Sequence, residues 1–237
     1  KRVALITGAG RGIGSALAIE LAKENNHVIL VGRSVESLEF VKIKIESNNG
    51  TASVLVLDVT HYDKIDKLGE YITEKFGRLD ILILNAGVLG SIGPLKDQDP
   101  SVFFDTININ LISVQRLIRS ISDILLKGDA PRALIIGSGS AISKRPFMGG
   151  YAISKAGLEH LGYLWAAENN RTNLNINIID PGATRTKMRS DAIPNENPNS
   201  LPLPTEVAKK IVPFTRKENK KHGERIKIRD ILWKLLL

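Results

Sequence analysis

The sequence predicts an α/β fold: a doubly wound parallel sheet of the Rossmann type, with helices on both faces, built as a single domain over residues 1–237. Two observations predict it. Short runs of valine, isoleucine and leucine recur without polar alternation, which marks strands buried on both faces. Between these runs lie longer segments of helical periodicity, and that alternation marks right-handed βαβ units. A third observation agrees with both. Every run ends in small, polar or charged groups, at the sheet edge where open α/β folds bind ligands.

The first run is VALIT, followed by the helical pattern GSALAIELAKE. HVILV is the second strand, and Ser34 is the N-cap of the helix that follows. ASVLVLD is the third, with a helix from Tyr62 to Phe76 after it. LDILILNAG is the fourth, and one long helix is predicted over Val102 to Leu126. ALIIGS is the fifth, followed by the helix of YAISKAGLEHLGYLWAAE. LNINIID is the sixth, and ERIKI a seventh. The irregular stretch IPNENPNSLPLP holds Pro194, Pro198, Pro202 and Pro204, which suit an extended loop and not a helix. Residues 186–204 are therefore expected to form a substrate loop.

Composition narrows the function classes. Hydrophobic residues make up 43% of the 237, enough for a sizeable core, and no window reaches the length of a membrane span. The opening apolar run is too short for a signal peptide, so a cytoplasmic protein is expected. The absence of cysteine excludes disulfides and thiolate metal sites. His27, His61, His160 and His222 are scattered, read as surface or loop residues, with no metal site expected. The net charge of +8 is spread along the chain. Its densest cluster, RKENKKHGER, is interrupted by acids and reads as a solvated face, not a nucleic-acid site. A basic surface suits an anionic cofactor or an acidic protein partner.

Among the strand ends, TGAGRGIG is the most informative. It sets Gly8, Gly12 and Gly14 at a strand-to-helix junction, where the chain must turn sharply and bring backbone amides close to a ligand. The next helix points its positive end at the same place, which suits a pyrophosphate. Further along, Tyr151 and Lys155 stand four apart in YAISK, on one helix face.

TGAGRGIG, NAG, Ser138, YAISK and PG, in this order, resemble the short-chain dehydrogenase/reductase family over essentially the whole chain. The resemblance implies a nicotinamide cofactor held by Gly8, Arg11, Gly12, Ile13 and Gly14. It further implies that Asp58 and Val59 flank the adenine, and that Asn85, Ala86 and Gly87 line the adenosine ribose side. Pro181 and Gly182 would shape the nicotinamide side, with Thr184 and Thr186 contacting the carboxamide and phosphates. The family usually carries a second asparagine before NAG, where this chain has Leu84.

The cofactor form follows from charge. An NAD-preferring site carries an acid at the end of the second strand, to accept from the ribose hydroxyls. Here VILVGRS has none, and Arg33 and Arg11 approach the same ribose. Two arginines suit a 2′-phosphate, so NADP(H) is expected over NAD(H).

Reducing a ketone needs a hydride on carbon and a proton on oxygen. Tyr151 is the natural acid. Its free phenol titrates near about 10, and a lysine ammonium one turn away favours the phenolate. The family also uses the lysine to hold the nicotinamide ribose. Ser138 is the expected second donor to the substrate oxygen, with Ser140 beside it in GSGS. Of Asn108 and Asn110, the family pattern selects Asn110, expected to hold a water that links Lys155 to solvent. The resulting expectation is an NADP(H)-dependent carbonyl reductase or alcohol dehydrogenase using Asn110, Ser138, Tyr151 and Lys155. A 3-oxoacyl reductase working on an acidic acyl-carrier protein is the alternative, and a non-catalytic NADP-binding protein the second alternative. Relatives of this family imply a homo-oligomer, tetramer or dimer, formed through the helices carrying Asn110 and Tyr151. The apolar ending ILWKLLL offers a further candidate surface.

Overall fold

The computed structural model describes residues 1–233, with side chains through Asp230, so ILWKLLL lies outside the described side chains. Seven parallel strands form one sheet in the order β3-β2-β1-β4-β5-β6-β7. The strands are β1 Val3–Thr7, β2 His27–Gly32, β3 Thr51–Val56, β4 Ile81–Leu84, β5 Arg132–Ile136, β6 Asn175–Asp180 and β7 Arg225–Lys227. The order reverses between β1 and β4, paired Ala4 to Ile81, Leu5 to Leu82 and Ile6 to Ile83. That reversal opens the crevice at the carboxyl ends of the strands.

Each strand feeds both faces of the sheet because side chains alternate along it. Ala4 and Ile6 of β1 join a core with α1 (Gly12–Lys23), α2 (Val35–Glu46) and α9 (Pro204–Ile211). Val3 and Leu5 join the opposite core, with α3 (Tyr62–Asp66), α4 (Leu68–Phe76), α6 (Ser113–Leu126) and α7 (Gly149–Glu168). Leu5 and Ile6 are fully buried on opposite faces, and each such side chain stabilises by about 1.5–3 kcal/mol. Two-sided burial is why the runs lack polar alternation. The edge strand β3 departs from it, with Val56 exposed.

Three expectations need correction. The segment predicted as one helix over Val102 to Leu126 is α5 (Pro100–Ile107), a π turn at Asn108–Ile112, and then α6. The helix predicted from Tyr62 to Phe76 breaks at Lys67 into α3 and α4. The segment 186–204 is not wholly a loop: α8 (Lys187–Ala192) lies within it, capped by Thr186. Pro198 opens a short 3₁₀ turn and Pro204 opens α9. Proline lacks an N–H, but the first helical turn has no partner for one, so these prolines start helical turns instead of preventing them. His27 also departs from a surface reading: it begins β2, half-buried, with Nε2 3.0 Å from Ser53 Oγ. After β7 comes α10 (Ile228–Trp233). Among the described residues, no helix is long and apolar enough to cross a membrane.

Candidate active site

The glycine loop leaves β1 and enters α1. Gly8 sits at φ +67°, in the left-handed region that side chains avoid. At Gly14, a Cβ would fall 2.2 Å from the Gly8 carbonyl oxygen, so only glycine lets the helix start this close to the loop. The N-cap residue of α1 is Arg11, whose side chain makes no capping bond, whereas Ser34 and Asp99 cap α2 and α5. The first-turn amides of α1, including those near Ile13, are thus free of side-chain acceptors and face the crevice. That cradle fits a dinucleotide pyrophosphate.

The NAG segment is tied to this loop. Thr7 Oγ1 accepts from the Asn85 and Ala86 amides at 3.0 and 3.1 Å. The Asn85 side chain donates from Nδ2 to the Thr7 carbonyl at 2.9 Å and the Gly8 carbonyl at 3.2 Å. Leu84, where the family usually has asparagine, is buried in the core, so the polar work here falls on Asn85. Where the adenosine end is expected, exposed Arg33 approaches Asp58, Nη1 to Oδ2 3.8 Å. Burial would raise the Asp58 carboxyl, but hydrogen bonds from Thr60 and the nearby Arg33 outweigh it and hold it below its ordinary range. Val59 is buried beside it, and Arg11 is exposed.

Asn110 sits in the π turn, fully buried. Its Oδ1 accepts from the Val88 amide at 2.8 Å. Its Nδ2 donates to the Val88 carbonyl and to Ser154 Oγ, both at 2.9 Å. Both amide hydrogens are therefore committed to protein groups. The side chain fastens the chain after Gly87 to α7. A π turn in a helix often marks a functional position, because it re-aims one residue. Asn108 meets Tyr62 instead.

One turn apart on α7, Tyr151 and Lys155 face the same place, with Nζ 5.9 Å from the Tyr151 ring centre. Lys155 is buried and donates to the Ile136 carbonyl at 2.8 Å. Burial pushes its ammonium down to about 8, against the favourable charge of Glu159. Tyr151 goes the other way. Burial raises its phenol, Ser138 opposes this, and Asp180 and Glu159 raise it further. Burial is the largest of these influences, and the phenol stands above its ordinary value. Ser138 Oγ accepts from the Ser140 amide at 3.1 Å, which leaves its hydroxyl hydrogen for another acceptor.

A cavity of about 770 Å³ opens beside Ser138 and Tyr151, and Lys155 and Asn110 stand outside its lining. Ser138, Ser140 and Tyr151 line it with Ile13, Pro181, Gly182, Thr184 and Thr186. Thr184 is buried, its hydroxyl donating to the Gly182 carbonyl at 3.2 Å. Thr186 brings the β6 loop against the glycine loop, its Cγ2 within 3.5 Å of where a Gly12 Cβ would stand. Arg145, Arg189, Lys227 and Arg229 also line the cavity, with Asp180 and Asp230.

The sequence reading missed three charged residues behind this wall. Arg225 donates to Glu159 from Nε at 2.8 Å and to Asp180 from Nη2 at 3.0 Å. They are 66 and 45 residues apart in sequence, so no local spacing signals the cluster.

This site and this fold define an oxidoreductase of the dinucleotide-binding α/β class. Comparison with known proteins makes it specific: residues 2–197 match the short chain dehydrogenase profile, and the chain belongs to that family, whose members act on CH–OH and carbonyl groups. The uncharacterized oxidoreductase YciK of Escherichia coli K12 is 34% identical over 209 residues, covering 87% of this chain and 82% of its own. The 3-oxoacyl-[acyl-carrier-protein] reductase FabG of Thermotoga maritima is 32% identical over 189 residues, covering 79% and 76%. A putative short chain dehydrogenase from Escherichia coli CFT073, solved in complex with NADPH, superposes with a TM-score of 0.92 at 31% identity, covering 97% of each chain.

Proposed function

We propose that the protein is an NADP(H)-dependent oxidoreductase that interconverts a ketone and a secondary alcohol, with Tyr151 as acid and base. One observation supports this reading: Tyr151 and Ser138 share a cavity wall with Ile13 at the start of α1 and with Pro181, Gly182, Thr184 and Thr186. The nicotinamide, when bound, supplies or takes the hydride. Tyr151 gives its proton to the carbonyl oxygen, and the Ser138 hydroxyl donates to the same oxygen as charge develops. The raised Tyr151 phenol rests protonated, the form that ketone reduction needs. Lys155, held at about 8, titrates near neutrality and suits proton return to Tyr151. Asn110 keeps α7 and the chain after Gly87 in register around that pair.

NADP(H) is favoured over NAD(H) by Arg11 and Arg33 at the adenosine end and by the NADPH held by the Escherichia coli CFT073 neighbour. Residues 186–204 supply the substrate-side wall through Thr186, Met188, Arg189 and Ala192. Exposed Phe104, Ile112, Ile153 and Leu164 lie on the elements around Asn110 and Tyr151 and support a homo-oligomer. An NADPH oxidation screen over diketones, sugars, steroid-like ketones and acyl thioesters tests the reading. Turnover of at least one carbonyl with NADPH is expected, and none with either cofactor contradicts it.

A second reading has its own observation. The excess of cations lining the cavity, Arg145, Arg189, Lys227 and Arg229 against Asp180 and Asp230, suits an acidic acyl-carrier protein, and the Thermotoga maritima relative is named for such a substrate. Activity confined to acetoacetyl thioesters in the same screen selects it.

A further inference from the structure

The backbone of Ser138 is gripped on both sides. Its amide donates to Glu159 Oε1 at 3.1 Å. Its carbonyl accepts from Arg225 Nη2 at 3.1 Å. The same guanidinium holds Glu159 through Nε at 2.8 Å and Asp180 through Nη2 at 3.0 Å. Asp180 in turn accepts the Gly182 amide at 3.1 Å, at the turn beside the cavity. Glu159 reaches Ser138 only because residue 137 is glycine: a Cβ there would lie 2.4 Å from Glu159 Oε1. Glu159 and Asp180 are buried, and Arg225 is nearly so, with 11% of its side chain exposed. Strand β7 thus reaches through one side chain to both the Ser138 segment and the Asp180–Gly182 turn.

We propose that Arg225, together with Glu159 and Asp180, is a positioning device of the site, fixing from β7 the place where Ser138 meets the substrate oxygen. The proposal rests on the role given above to Ser138 and Tyr151. It does not follow from the family profile, which matches residues 2–197 and stops short of Arg225. Chemistry explains why an arginine stands there. Two carboxylates taken out of water need a cation with several directed donors, and a planar guanidinium can serve both and a carbonyl at once. Removing one partner of such a cluster leaves the others buried and uncompensated.

The cluster also sets the charge around Tyr151. The charged groups around it are Lys155 and Glu159 on its own helix, Asp180 on β6 and Arg225 on β7, with Arg145, Arg189, Lys227, Arg229 and Asp230 on the cavity it lines. Loss of Arg225 leaves both carboxylates acting on it, and loss of the Glu159 charge relieves it.

Those opposite signs make the test. Arg225→Met, Arg225→Lys and Glu159→Gln are compared with the native enzyme for NADPH binding, kcat and KM on the best ketone of the screen. The ionised fraction of Tyr151 at alkaline pH is read by NMR of ¹³Cζ-labelled tyrosine, assigned with Tyr151→Phe. In R225M, kcat is expected to fall about 10- to 100-fold, as for a displaced reacting group, with KM changing less and R225K recovering part of the loss. Tyr151 should be less ionised than native in R225M and more ionised in E159Q. A folded R225M with native kcat, or shifts of the same sign in both variants, overturns the proposal. If R225M does not fold, E159Q decides: unchanged Tyr151 ionisation overturns it. If the native enzyme reduces no carbonyl, the functional reading fails, while the opposite NMR shifts still report the clamp.

Discussion

Lys155 lies one turn from Tyr151 and 5.9 Å from its ring centre, and its ammonium hydrogen-bonds the Ile136 carbonyl. Its charge is held in a buried place at a cost. With the folded ammonium at about 8 and the free one near about 10.4, the charged form is disfavoured by about 3 kcal/mol.

The first prediction follows from that cost. Lys155→Met should abolish most turnover while raising the melting temperature at pH 7, by about 6–12 °C for a chain of this size. The pH dependence has a definite sign. Between the folded value of about 8 and the unfolded value, the unfolded chain binds more protons, so native stability rises with pH across that window. The advantage of the Met variant should therefore shrink as pH rises above about 8. Thermal melts of both proteins at several pH values check this; a constant difference across the window counts against the buried charge.

The second concerns the cofactor. Arg33 is exposed, with Asp58 as a loose partner at 3.8 Å, so it can turn to a 2′-phosphate at little cost. Arg33→Ala should weaken NADPH binding by about 10- to 100-fold, the value of a charge-assisted contact, and leave NADH nearly unchanged. Fluorescence titration with both cofactors reads the difference. Equal weakening of the two would remove Arg33 from 2′-phosphate recognition.

The third concerns Asn110. Its amide satisfies the Val88 amide and carbonyl and bonds Ser154. Asn110→Leu leaves those buried groups unpaired and should destabilise by about 2–4 kcal/mol. Denaturant unfolding measures it. A loss below about 1 kcal/mol would mean that water or a relaxed loop replaces the amide.

Much of this architecture is legible in the sequence, for physical reasons. Two-sided burial of a parallel sheet forces continuous apolar runs, and β1, β2 and β6 stand close to where those runs are. The glycine loop is legible because left-handed backbone at Gly8 and close approach at Gly14 leave few alternatives to glycine. Tyr151 and Lys155 are legible because one turn of helix fixes their relation. The π turn at Asn110 is not: ININLI fits an ordinary helix, and only packing against Val88 and Ser154 shows the extra residue. Pro204 misleads because proline disfavours a helix interior but suits its first turn. Arg225 is invisible to any local pattern, since its partners come from β6 and α7.

The central claim is that Tyr151 delivers the proton. Tyr151→Phe removes the hydroxyl and keeps the ring. Pre-steady-state NADPH oxidation with the best ketone of the screen should show at least about a 10³-fold loss of the chemical step, the upper range for a general acid, with the NADPH dissociation constant within about twofold of native. A Tyr151→Phe enzyme that oxidises NADPH at the native rate with that ketone would contradict the account.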